Sequence, residues 1–249
     1  QRQMCIRDSL QSHVCCVVFP LLTCNCMQTV SVVSDAAFDA ALAPLLRDLR
    51  LKETEETWHK IDAGLAQFQA LTKGGAAKLP SYIPRVREIA PCITRSLLSE
   101  RTRLSGTAND VLNSMAPRLG ERFATVLPLF MPPLLQMCTR TNRVVLKRAE
   151  RTLHLICKHC HLTKVVPYFL HALTDKAPSL RIVAAGCLVV LLESTSVVRL
   201  TNRVTDLEEA IRLVSTDANG EARAISKSLY ALYAGIWPER VDRYVCIIR

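Results

Sequence analysis

Aromatic side chains make up only 5% of these 249 residues, and glycine occurs eight times. A chain so poor in both is ill suited to a strand-rich fold and offers no platform on which single-stranded nucleic acid could stack. No apolar run reaches 18 residues, so no membrane span is predicted. Also missing are G-x-S-x-G, H-E-x-x-H, the Walker loop and G-x-G-x-x-G. The six histidines supply no substitute: three crowd into 154–161, one lies near the N-terminus, and His59 and His171 have no nucleophile beside them. Neither an enzyme nor a cofactor is expected. Acidic residues are also short, 22 against 32 Lys and Arg, and the formal net charge of +10 favours an acidic partner.

Eleven cysteines are present, five of them (Cys5, Cys15, Cys16, Cys24 and Cys26) within the first 26 residues. The other six are scattered and fit a reduced chain better than a disulfide framework. The opening QRQMCIRDS looks like translated adaptor sequence, and the closing RYVCIIR is similar in character. Residues 1–34 are therefore expected to be a leader outside the domain, artefactual or disordered, with the domain running over 35–249.

Cys157 to His161 fits C-x-x-C-H, the attachment signature of c-type haem. Ala149, Leu153, Ile156, Cys157 and Cys160, however, fall on one stripe of a helix, and cysteine buries well as a small apolar side chain. The stripe predicts two core thiols and no metal or haem site.

Self-similarity supplies the architecture. Arg103, Arg143, Arg181 and Arg223 follow one another at spacings of 40, 38 and 42, each opening a helical stretch with an apolar cluster beyond it. A period near 40 with two helices per unit belongs to the HEAT and armadillo size class. The expected pairs are 35–50 with 54–71, 81–98 with 102–119, 122–137 with 142–161, 164–173 with 179–193, and 203–214 with 219–236. Breakers such as Gly74-Gly75, Gly120, Pro178 and Asn219-Gly220 fall between them. Pro91 and Pro132-Pro133 are expected to kink or shorten their helices. The fold class is all-α, an α-solenoid of about five helix pairs in which each pair needs its neighbours to cover its apolar face.

Three stretches, ETEETWHKIDAGLAQFQAL, LLSERTRLSGTANDVLNSMAPRLGERF and DANGEARAISKSLYALYAGIWPERVDRY, resemble the N-terminal TOG-type domain of the CLASP family of microtubule-associated proteins. The specific parts are E-T-x-x-x-W, S-E-R-T-R, R-T-N-R-V and W-P-E-R, over about residues 36–244. The resemblance implies a flat stack of helix pairs. The edge formed by the turns within each pair contacts the tubulin heterodimer, in proteins that stabilise microtubules and favour their rescue in the cytoplasm, on the cytoskeleton and spindle. Such domains usually have six pairs, so this chain is expected to be truncated at its C-terminus.

The turn edge of a regular stack presents Trp58, Arg101, Arg103, Arg140, Asn142, Arg143, Lys176, Asn219, Arg223 and Lys227, with Lys147 one turn further along. A row of cations with an aromatic at one end suits an acidic protein surface such as tubulin. Each has a structural competitor. Trp58 is also suited to cap the core, Arg181 and Arg223 to pair with Asp175 and Asp217, and Arg148 and Arg151 to form a solvated face. Arg101, Arg140 and Arg143 have no acidic neighbour in their own turns and are expected to be contacts. The alternative function is a HEAT scaffold or transport adaptor that grips a partner peptide on its concave face. Nucleic acid has only the net charge in its favour and is not expected.

Overall fold

The computed structural model describes residues 29–241, and every regular element among them is helical. Five pairs stack in chain order: α1 (Asp35–Leu49) with α2 (Trp58–Lys73), α3 (Tyr82–Leu97) with α4 (Thr102–Leu119), α5 (Leu127–Cys138) with α6 (Arg143–Cys160), α7 (Val166–Ala172) with α8 (Pro178–Ser194), and α10 (Val204–Ser215) with α11 (Gly220–Ile236). A short α9 (Val197–Leu200), which the periodicity did not anticipate, lies in the connection before α10. The second helices α2, α4, α6, α8 and α11 pack side by side as a continuous layer, and the first helices lie against it. One apolar core runs through the whole stack, from Val32 to Trp237. Each large side chain removed from water there contributes about 1.5–3 kcal/mol, and the neighbouring pair supplies much of the cover.

Caps set the boundaries. Ser34 Oγ accepts from Ala37 N at 3.2 Å to open α1, and Asn142 and Asn219 do the same for α6 and α11. Helix α2 begins at Trp58, four residues later than expected. Thr57 Oγ1 instead accepts from Thr54 N at 2.9 Å and donates to Lys52 O at 2.5 Å, closing a turn that competes with the helix. Residues 120–125 form a 3₁₀ segment, so α5 starts at Leu127 and is short. Gly75 has φ of +115°, and a Cβ on Gly74 would lie 1.8 Å from Val30 O. Both positions need glycine.

Pro91 lies within α3, of 16 residues, and Pro132-Pro133 within α5, of 12 residues. Pro91 and Pro132 face water, where the carbonyls deprived of an N–H partner can be solvated. The folded unit also starts ahead of residue 35. Val30 N donates to Ala70 O at 3.2 Å, Val32 N donates to Gly74 O at 3.0 Å, and Val32 is buried. The remainder of the proposed leader, with its five cysteines, and the closing RYVCIIR lie outside the described residues.

Cys157 and Cys160 are both buried in α6, on the stripe that the sequence outlined. Burial pushes the Cys160 thiol up to about 12, and its Sγ lies 3.5 Å from Ala116 O in the neighbouring repeat. These thiols face the core and cannot serve as attachment points on the surface. Among the described residues no helix is long and apolar enough to cross a membrane.

Candidate partner-binding edge

The turns within pairs sit next to one another because each is bonded to the one before or after it. Helix C-termini leave their last carbonyls without intrahelical donors, and arginines from the following repeat meet them. Arg95 Nη2 donates to Leu49 O at 3.1 Å and Leu51 O at 2.8 Å. Arg140 Nη1 donates to Ser99 O at 3.2 Å and its Nη2 to Leu98 O at 2.5 Å, with the Glu100 carboxylate 3.3 Å away. Ser179 Oγ donates to Cys138 O at 2.7 Å. A guanidinium suits this work because its rigid fork of donors spans two carbonyls and stays charged.

The largest single link is the pair of Arg181 with Asp217. Nε and Nη2 meet the two carboxylate oxygens at 2.6 and 2.9 Å, and the side chains are only 14% and 6% exposed. The third arm, Nη1, donates to Asp175 O at 2.9 Å and Lys176 O at 3.1 Å. Arg181 holds the Asp217 carboxyl below the ordinary aspartate value. Asp175 therefore contributes its carbonyl, while its carboxylate caps Ala177 N at 2.8 Å. Arg223 does likewise with Asp217, donating Nη1 to Asp217 O at 2.6 Å and Ala218 O at 2.9 Å.

The expectation that Arg101 and Arg140 lie clear of carboxylates does not hold. Arg101 Nη1 donates to Glu53 Oε1 at 2.9 Å and its Nη2 reaches Glu55. Ser99 Oγ donates to the same Glu53 oxygen at 2.7 Å. Glu53 is 48 residues away, longer than the mean repeat, so the sequence period did not align the two. Arg103 donates Nε to buried Asp62 at 2.9 Å, and Thr107 Oγ1 donates to the other Asp62 oxygen at 2.5 Å. Its side chain is still 76% exposed, which leaves both terminal amino groups facing water.

Asn142 Oδ1 accepts from Val144 N at 3.0 Å and Val145 N at 3.4 Å. Asn219 Oδ1 accepts from Glu221 N at 2.8 Å and Ala222 N at 3.2 Å. Both asparagines hold the turn in shape. Trp58 is half-buried against the core and meets the His59 ring edge-on at a centroid distance of 6.3 Å, so it packs and also presents an edge.

What remains is the set of cations without a side-chain partner among the described residues. Arg143, Lys176 and Lys227 are exposed and their side chains make no hydrogen bond or ion pair. Lys147, which the sequence places one turn beyond Arg143, belongs with them. The arrangement can bind an acidic surface by charge and shape. Among the described residues no group of three or more His, Cys, Asp and Glu side chains is placed to hold a metal.

The family model described as CLASP N terminal matches residues 38–245. Protein stu1 of Aspergillus fumigatus is 22% identical over 218 residues, 85% of this chain and 16% of that protein. CLIP-associating protein 1-B of Xenopus laevis is 21% identical over 215 residues, 86% of this chain and 15% of that protein. Protein peg1 of Schizosaccharomyces pombe is 25% identical over 195 residues, 76% of this chain and 13% of that protein. This chain thus spans less than one fifth of the length of these relatives. A solved structure of microtubule polymerases with Tumor Overexpressed Gene (TOG) domain arrays, concerned with tubulin recruitment and assembly, superposes with a TM-score of 0.58 at 15% identity. It covers 75% of this chain and 38% of that one and shows the same kind of helical-repeat fold.

Proposed function

The chain belongs to the CLASP N-terminal family, and on that premise we infer that it is a non-catalytic TOG-type module that binds tubulin through its turn edge. The observation that carries this is the run of unneutralised cations at the later turns, Arg143, Lys176 and Lys227, joined by the exposed amino groups of Arg103. Such a row attracts an acidic protein surface and orients it along the stack. Trp58 adds an aromatic contact at the opposite end. Arg101, Arg140, Asn142, Asn219 and Arg223 have a supporting part, since their hydrogen bonds hold the turns in register. Within a longer protein the module would lend this affinity to microtubule stabilisation and rescue, in the cytoplasm on the microtubule cytoskeleton and spindle.

The test is size-exclusion binding of the 249-residue chain to unpolymerised tubulin at low ionic strength, beside the variant Arg143→Glu, Lys176→Glu, Lys227→Glu. Co-elution of the parent and its loss in the variant, at equal helicity by circular dichroism, is the expected result. A folded parent that elutes separately from tubulin sinks the proposal.

A further inference from the structure

Helix α6 carries a row of cations that the fold leaves unused. Arg143, Lys147 and Arg151 stand at i, i+4 and i+8, and Lys158 follows two turns later, all on one stripe of the helix. All four are exposed, and none has a side-chain hydrogen bond or ion pair among the described residues. Like charges one turn apart repel, so the row weakens the helix that bears it. Arg148, on the flank toward α4, is the exception and donates to the Thr102 carbonyl.

Shallow grooves run along both flanks of this ridge. One, of about 550 Å³, is lined by Arg143, Val144, Lys147, Arg148 and Arg151, and its single apolar side chain, Val144, is 53% exposed. The other, of about 750 Å³, lies between α6 and α8, with Lys147, Arg151 and Lys158 on its α6 side and Leu155 and Val190 lining it. Helix α8 is apolar nearly all round, and Ile182, Val189 and Val190 on it are only half-buried. A basic ridge therefore adjoins an apolar strip.

We propose that the α6 ridge docks an extended, acidic polypeptide segment of a partner protein along the groove between α6 and α8, with apolar side chains resting against α8. Cations four residues apart on a helix recur about every 6 Å. Side chains on one face of an extended chain recur about every 6.6 Å. A segment with acidic residues at alternate positions thus meets Arg143, Lys147 and Arg151 in turn, within the reach of these long side chains. Nucleic acid fits less well. Glu150 and Glu193 line the α8-side groove, where they face any unbroken run of phosphates, whereas a polypeptide can place an amide or apolar group there. Neither groove is lined by a Phe, Tyr or Trp side chain on which a base could stack, and His154 is the one aromatic ring among the lining residues. The ridge shares Arg143 and Lys147 with the cations of the turn edge, and Arg151 and Lys158 are its own, so variants at those two test it separately from tubulin binding there.

The experiment is fluorescence polarisation of a labelled twelve-residue peptide alternating glutamate with leucine or valine, titrated with the 249-residue chain at low salt. Binding that weakens as salt rises is expected, with about a tenfold loss in the double variant Arg151→Glu, Lys158→Glu. A second double variant, Lys176→Glu with Lys227→Glu, changes the net charge equally but lies on the turn edge, and it should bind the peptide like the parent. Circular dichroism checks that all three are equally helical. No binding by the parent, or equal losses in the two double variants, overturns the proposal. So does tighter binding of a DNA duplex than of the peptide at the same ionic strength.

Discussion

The early and late parts of the turn edge are built from the same residue types and end in opposite electrostatic states. In the first two turns arginine meets carboxylate: Arg101 with Glu53 and Glu55, and Arg103 with Asp62. From the third turn onward Arg143, Lys176 and Lys227 meet none among the described residues, and the nearby Asp217 is taken by Arg181. The cations are distributed all along the edge. Where the carboxylates fall decides which stretch stays positive, and that stretch is the one available to an acidic partner.

The strongest way to break this contrast is to free a cation by removing its buried partner. Asp217→Ala strips the carboxylate from Arg181, and losing one member of a buried ion pair costs about 3–5 kcal/mol. Urea unfolding should report that loss, and a drop under 1 kcal/mol would show that Arg181 relaxes into water. Next comes the partner side of the comparison. The triple charge reversal at Arg143, Lys176 and Lys227 should weaken tubulin binding more than tenfold while leaving the melting temperature nearly unchanged. Arg140→Ala should do the reverse, costing about 1–2 kcal/mol of stability through the carbonyls of Leu98 and Ser99 left without donors. If Arg140→Ala instead lost tubulin binding at full stability, the division between the two groups would be wrong. A smaller effect is expected at Asn142→Ala, about 1 kcal/mol from the lost cap of α6, read from thermal melts.

The last contrast is in pH. Because Arg181 lowers the carboxyl of Asp217, the pair stabilises the fold above the ordinary aspartate value of 3.8 and loses that contribution as pH falls through the lower folded value. Stability of the parent should therefore drop more steeply, as pH falls below the ordinary aspartate value of 3.8, than that of Asp217→Asn. Parallel curves for the two proteins would count against the pair as an acid-sensitive link.

Much of the architecture was legible. The arginine spacing near 40 found the five pairs, and α1, α3, α4, α6, α8 and α11 fall within two residues of their expected limits, since apolar periodicity and the caps at Ser34, Asn142 and Asn219 are local signals. The start of α2 and the 3₁₀ segment ahead of α5 were missed, because short side-chain turns compete with helix over only a few residues. The candidate edge was legible as a location and less so residue by residue. Arg101 and Arg140 read as free because the carboxylates that reach them, Glu53 and Glu55 for Arg101 and Glu100 for Arg140, stand in the preceding turn.

Amino-acid order alone thus determined that the chain is a helical stack, where most of its helices lie, that Cys157 and Cys160 belong to the core, and that the turns carry cations. All of these depend on interactions spanning four residues or on a repeating period. Only the tertiary structure decided which cations are consumed as links between repeats and which remain exposed. That choice depends on whether a carboxylate or an orphan helix carbonyl some 40 residues away comes within about 3 Å of a guanidinium, a distance that the stacking of repeats sets.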